Sequence, residues 1–376
     1  MINTLQKKFR KALLLCPLIC CLSCVNAQPT PEYSPEDQAL RREIGQMLVV
    51  GFRGTEIADT NHIVRDIRDY HIGGVILFEY DVPSQSRPRN ITSPKQLKAL
   101  CTALQGLSEE KLLIGIDQEG GRVNRLKQTM GFPPFKSAQQ SSKEGDASVR
   151  YQAKLTAKTL ADAGINLDFA PCVDVNVNPN CPIIGKLERS FGGDPSRVTT
   201  CAKIWISELQ QRGVIACPKH FPGHGSSKDD THLGMADVSD TWTDAELEPY
   251  RQLIAQGQMR MLMTTHVFNS QLDSIYPATL SKATLTGLLR DSLGYTGVII
   301  TDDMAMGAMQ REYSYEEMLL RSILAGADML CLSNNGQYYN PDIVPQTVDI
   351  IYQMVKRGKI TRARIHESAE RIKKLK

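Results

Sequence analysis

The densest run of reactive side chains in the 376-residue sequence is Lys219-His220-Phe221-Pro222-Gly223-His224-Gly225, which continues through Ser226-Ser227-Lys228-Asp229 to Asp230-Thr231-His232. Histidine beside aspartate can ligate a metal or move a proton. Spacing argues against the metal, because His220 and His224 share a helix face only if residues 220–224 are helical, and Pro222-Gly223 breaks a helix. Gly223, Gly225 and Gly234 instead predict a flexible loop that folds over a ligand. In extended backbone Asp230 and His232, two residues apart, face the same side, where the carboxylate would orient and charge-stabilise the imidazole. The bland reading of the same residues is a solvated polar loop.

Three further segments offer chemistry. Gly297-Val298-Ile299-Ile300-Thr301-Asp302-Asp303-Met304 reads as a buried strand delivering two acids at its end. An aspartate there can be a nucleophile, a metal ligand or a helix cap. Asp302 follows directly on the apolar run and is assigned to the site, with Asp303 left to capping. In Gly115-Ile116-Asp117-Gln118-Glu119-Gly120-Gly121-Arg122-Val123-Asn124-Arg125, the glycine pair can be a tight turn that brings Asp117 and Arg125 close enough to share the hydroxyls of a sugar. Leu187-Glu188-Arg189-Ser190-Phe191-Gly192 is weaker, since an arginine in such a setting is most often in a surface ion pair.

The elements that must position these groups recur regularly. Eight short apolar runs, Met47–Phe52, Gly74–Phe78, Leu112–Asp117, Asn166–Pro171, Val214–Lys219, Met261–His266, Val298–Asp302 and Met329–Ser333, alternate with helix-like segments. Strands without polar alternation suit a parallel sheet covered on both faces, and strict strand–helix alternation suits right-handed crossovers. Eight such units predict an α/β fold of the (β/α)₈ TIM-barrel type, with reactive groups at the C-terminal ends of the strands. Several runs do end in ionisable or polar residues: Asp117 with Glu119, Asp174, Lys219 with His220, His266, Asp302 with Asp303, and Asn334. Helices over Pro341–Arg357 and Thr361–Leu375 would close the chain.

Composition excludes several function classes. Hydrophobic content of 41% and charged content of 23% describe a globular chain rather than a disordered, fibrous or multi-span membrane one. The formal charge of +3 belongs to residues 1–27, which hold Lys7, Lys8, Arg10 and Lys11 and no acid; the rest has 40 basic side chains against 41 acidic. The body therefore carries no electrostatic footprint for nucleic acid. Basic residues followed by the apolar run Ala12–Leu22 and by Val25-Asn26-Ala27 read as a secretory signal peptide over 1–27, too short in its apolar part to span a bilayer. The expected compartment is periplasmic or extracellular. Leu22-Ser23-Cys24 offers an alternative, a lipoprotein anchored to the membrane through Cys24. Residues 28–40 read as an N-terminal tether and 41–376 as one barrel domain. Six cysteines remain in the body; an oxidising compartment permits a bridge, with Cys172 and Cys181 the nearest pair in sequence.

Taken together, the four reactive segments resemble glycoside hydrolase family 3, and within it the β-N-acetylglucosaminidases that act on cell-wall fragments. The resemblance runs from about Ile44 to Leu375. Its most specific part is the pattern K-H-F-P-G-[HL]-G-x₄-D-[ST]-H, met without a gap from Lys219 to His232. The resemblance implies Asp302 as catalytic nucleophile, His232 as general acid/base and Asp230 as its partner. It further implies that Asp117, Arg125, Arg189, Lys219 and His220 hold the sugar, with no metal or cofactor, and a GlcNAc-containing oligosaccharide as substrate. Other members take the acid/base from a glutamate in a second domain, whereas the barrel and its closing helices are expected to use all 349 residues after the leader. The chain is expected to be a monomeric retaining exo-β-N-acetylglucosaminidase. The alternatives are a β-N-acetylglucosaminide phosphorylase or transglycosylase on the same scaffold, a catalytically silent sugar binder, and a metal-dependent amidohydrolase.

Overall fold

The computed structural model describes residues 33–376. The signal peptide over 1–27, its cleavage after Ala27 and lipidation at Cys24 lie outside the described residues. Among those described, no helix is long and apolar enough to cross a membrane.

All eight apolar runs form strands: β1 Leu48–Gly51, β2 Gly74–Leu77, β3 Leu113–Ile116, β4 Leu167–Asp168, β5 Ile215–Ala216, β6 Met261–Met263, β7 Val298–Ile300 and β8 Leu330–Leu332. Every residue in them is buried, which is why they lack polar alternation. Parallel ladders run β8-β1-β2-β3-β4-β5, and β6 pairs with β7 in a second parallel ladder. Single bridges, Phe221 with Thr264 and Ile300 with Met329, join the two sets into a closed ring of eight. The fold is a (β/α)₈ barrel.

Helices cover the ring. Pro94–Leu107, Asp146–Ala163, Pro195–Gln210 and Tyr315–Ala325 lie between strands, and Ile343–Lys356 and Arg362–Leu375 fall within the two closing segments expected. The helical segment after Lys282 is a π-helix, Ala283–Ser292. One expectation is corrected. The tether placed over 28–40 overlaps a helix, Pro35–Gln46, capped by Ser34 Oγ accepting from Asp37 N. Leu40 and Ile44 of this helix are buried, so the segment belongs to the packed domain from Pro35 onward. At the N-terminal end of the barrel, Asp328 is buried against Arg290, Arg364 and Arg371, tying the last helix to the base of β8.

Candidate active site

At the C-terminal end of the ring, a cavity of about 310 Å³ collects Asp117, Arg125, Arg189, Lys219, His220, His232 and Asp302. Seven of the eight expected site residues thus line one space, and the eighth, Asp230, stands directly behind His232.

Asp117 follows β3. The chain then makes a two-stranded ribbon, Gln118–Gly120 against Val123–Asn124, that returns Arg125 to Asp117 at 3.4 Å. Gly120 and Gly121 both have positive φ, and a Cβ on Gly120 would lie 2.2 Å from the Lys136 carbonyl, so the turn requires glycine. Gln118 locks the ribbon: its Oε1 accepts from Arg125 N and Leu126 N, and its Nε2 donates to Asn124 Oδ1.

Behind this ribbon runs a chain of alternating charges. Lys219 Nζ donates to Asp117 Oδ1 at 2.7 Å and lies 2.8 Å from Glu119 Oε1. Glu119 accepts two bonds from Arg189, each 2.8 Å, a bidentate pair buried on both sides. Arg189, expected in a surface pair when taken alone, is thus buried; its Nη1 also donates to the Ile183 carbonyl. Arg189 Nη2 reaches His220 Nε2 at 3.0 Å, and His220 Nδ1 lies 2.5 Å from Asp174 Oδ2. A guanidinium only donates, so Nε2 accepts and the ring proton sits on Nδ1, donated to Asp174. Burial pushes the Glu119 carboxyl up, but Arg189 and Lys219 outweigh it and hold it well below the usual carboxylate range. The same balance holds Lys219 above the usual lysine value.

Asp302 ends β7. Burial raises its carboxyl, yet His266 and Lys219 together with the N–H of Asp303 outweigh that and leave it below its ordinary value. Its neighbour has a different task from the helix capping expected. Asp303 accepts from Ala305 N and from Ser333 N and Oγ, stapling the end of β7 to the end of β8. The nearest helix, Gly307–Gln310, is preceded by Met306 and takes no bond from it.

The Asp230–His232 pair forms, but through a turn rather than extended backbone. Leu233 N bonds the Asp230 carbonyl, and Asp230 Oδ1 accepts from both His232 N, at 2.9 Å, and His232 Nδ1, at 2.8 Å. An aspartate that bonds the N–H two residues on closes such a turn by itself. His232 lines the cavity with a side chain that is 61% exposed, and its Nε2 makes no hydrogen bond to any described residue. The turn is fastened on two sides. Thr231 Oγ1 meets His224 Nε2 at 3.2 Å, and the Thr231 carbonyl accepts from Ala308 N, in the segment after Asp302.

Sequence reasoning gave no role to Glu119, Asp174 or His266, although all three end barrel strands. Strand-end position was the available signal; their pairing partners lie far away in the chain. The suggested Cys172–Cys181 bridge is not formed, and all six described cysteines are free and buried. Each thiol of that pair is engaged elsewhere, Cys172 with Asp174 Oδ2 and Cys181 with the His224 carbonyl. Cys172, Asp174 and His220 cluster donor atoms of metal-ligand type. Both ring nitrogens of His220 are already used in hydrogen bonds.

Glu246 supports the loop from beneath, with Oε2 accepting from Gly225 N at 3.0 Å. Burial pushes its carboxyl up to about 7. Between the unfolded value near 4.5 and 7 the folded state holds the proton and the unfolded state does not, so this group's contribution to stability falls as pH rises through that window. The loss should total about 3 kcal/mol, and Glu246→Gln should remove it. Urea unfolding of parent and variant at pH 4.5 to 8 checks this: parallel curves of unfolding free energy against pH would show that Glu246 does not titrate there.

Comparison with known proteins gives a consistent result. The chain is 33% identical over 331 residues to Beta-hexosaminidase A of Pseudoalteromonas piscicida, covering 82% of this chain and 54% of that protein. It is 31% identical over 348 residues to Beta-hexosaminidase LpqI of Mycobacterium tuberculosis, covering 89% and 82% respectively. A family 3 β-N-acetylglucosaminidase from Paenibacillus superposes with a TM-score of 0.80 at 33% identity over 89% of this chain and 62% of that one. The chain thus spans about half to two-thirds of the length of some relatives and most of the length of others. Residues 39–375 match the N-terminal domain of glycosyl hydrolase family 3, from within the first helix through the closing one, and with the strand-end cluster they place the chain in that family.

Proposed function

We propose that the chain is a retaining exo-β-N-acetylglucosaminidase that removes terminal β-linked GlcNAc from cell-wall or chitin-type oligosaccharides. The observation that carries this reading is the convergence on one cavity of a charged, half-buried carboxylate, Asp302, and an imidazole, His232, with an unengaged nitrogen.

Asp302 attacks the anomeric carbon while His232, as imidazolium, gives its Nε2 proton to the leaving oxygen. A covalent glycosyl–enzyme results. Neutral His232 then takes a proton from water, which attacks the same carbon and frees Asp302 with net retention. Asp230 keeps the ring oriented and stabilises its charged form through Nδ1. Asp117, Arg125, Lys219 and Arg189 hold the sugar hydroxyls, and His220, with both ring nitrogens engaged, fixes Arg189 in place. Action on fragments met after export accords with the signal peptide expected over residues 1–27.

Aryl β-N-acetylglucosaminides should turn over ~10⁴-fold faster in kcat/KM than the matching β-glucosides, because a site built to bond the acetamido group leaves polar atoms unpaired without it. Comparable rates on the two sugars would defeat the assignment to GlcNAc. Running the same assay with added phosphate separates hydrolysis from phosphorolysis: free GlcNAc is the expected product, and a GlcNAc 1-phosphate would establish the phosphorylase.

A further inference from the structure

Between Lys228 and Met235 one residue alone is buried, Thr231. Its neighbours Asp230, His232 and Leu233 are half-buried or exposed. The bonds that close this turn, from His232 and Leu233 back to Asp230, are internal to it. They set the shape of the dyad and leave its place relative to Asp302 undetermined. Among the described residues, every hydrogen bond from positions 230–233 to the rest of the chain belongs to Thr231.

These attachments lead to different parts of the site. The Thr231 carbonyl, accepting from Ala308 N, reaches the segment that follows the nucleophile. There the His232 carbonyl rests against Gly307, where a Cβ would come within 2.5 Å of it. Through its hydroxyl Thr231 reaches His224, whose buried ring makes no other hydrogen bond among the described residues. Burial strips such a ring of its bonds to water, and Thr231 alone replaces one of them. His224 is itself fixed, its N–H donating to Asp174 Oδ1 at 2.8 Å, on the carboxylate that also orients His220 beside Arg189. One buried aspartate thus supports the sugar-holding side and, through His224, the acid/base turn.

We infer that His224 and Thr231 are positioning residues, and that their contact is a latch placing His232 at the leaving oxygen of a sugar within reach of Asp302. This inference rests on the glycosidase reading above. Without the Thr231 hydroxyl the turn keeps one hydrogen bond to the rest of the chain, at Ala308, about which it can pivot. The dyad survives such a pivot, because the Asp230 bonds travel with the turn. Proton transfer falls steeply once donor and acceptor are misplaced, whereas attack by Asp302 is untouched. The defect therefore follows the leaving group's need for a proton.

The test uses the full chain and two substrates, dinitrophenyl and methoxyphenyl β-N-acetylglucosaminide, of which only the second needs a proton on its leaving oxygen. In Thr231→Val the ratio of their kcat/KM values, dinitrophenyl over methoxyphenyl, should rise about tenfold above that of the parent, the size expected for losing one positioned hydrogen bond. His224→Leu should raise it equally, and the double variant no further, since both changes remove the same contact. Thr231→Ser restores the hydroxyl and should keep the parent ratio. A ratio measured within one preparation is insensitive to how much of the variant has folded. An unchanged ratio in Thr231→Val, or a rise in the double variant equal to the product of the two single rises, would overturn the latch. Failure of the parent to cleave either compound, or an unchanged ratio in His232→Ala, would instead bring down the glycosidase or acid/base reading on which the latch rests.

Discussion

Replacing Asp302 by Asn should reduce turnover of any β-N-acetylglucosaminide by ~10⁴-fold or more, whatever the leaving group, because no glycosyl–enzyme can then form. The surrounding geometry makes substitution by a neighbour implausible. Asp303 is engaged by Ser333 and Ala305, while Asp117 and Glu119 are tied to Lys219. The loss should appear equally on activated and unactivated substrates, which separates it from a proton-transfer defect. With azide present, Asp302→Asn should give either no rescue or an α-glycosyl azide, since direct attack on the emptied face inverts the configuration. A variant retaining a tenth of the parent rate would show that the nucleophile is elsewhere.

The second large effect is that of His232→Ala. Its removal takes away proton transfer alone, worth ~10²–10⁴-fold on substrates with poor leaving groups. A dinitrophenyl leaving group needs no proton, so glycosylation should survive while deglycosylation stalls, giving a burst followed by slow turnover. Azide needs no general base and should restore turnover, yielding the β-glycosyl azide. Asp230→Asn keeps a side chain able to close the turn and should fall between parent and His232→Ala, because the imidazole stays in place but loses its charge partner. Full rates for His232→Ala on unactivated glycosides would falsify the dyad assignment and turn attention to Asp230 itself.

Much of this site was legible from local pattern. Apolar runs without alternation could only be strands buried on both faces, and the polar residues terminating them had to collect at one end of the ring. The turn through Gly120 and Gly121 was equally readable, since two adjacent glycines allow the left-handed backbone that returns Arg125 to Asp117. What stayed hidden was pairing between distant segments. Nothing near Glu119 indicates that Arg189, seventy residues on, will occupy both of its oxygens. The same holds for Asp174 and His220, which meet because β4 and β5 are neighbours in the ring. Asp230 and His232 were rightly linked by an incorrect geometry: a two-residue spacing is served by an extended strand, but also by a turn that the aspartate caps itself. The first helix was missed although its signals were present, with Ser34 as cap, Pro35 at the first position and Glu36 and Asp37 in the first turn.

The two places where the ring is closed by a single bridge instead of a ladder bear on how this chain tolerates mutation. Lys219 and His220 sit at the end of the long run of laddered strands, while Asp302 sits on the separate β6–β7 pair. Registration between nucleophile and sugar-binding groups across those joints rests on backbone bonds of Met263 with Pro218 and Phe221 and of Thr265 with Phe221 on one side, and of Thr301 with Met329 and Met304 with Cys331 on the other, where Asp303 also holds Ser333. Core substitutions within either strand set are resisted by continuous hydrogen bonding and dense packing. Changes at the joints shift one set against the other with little loss of buried area. Variation there would accordingly be pruned by selection for rate rather than for persistence of the fold, and an inactive yet well-folded descendant of this chain should carry its first lesions at Ser333, whose hydroxyl and N–H both bond Asp303.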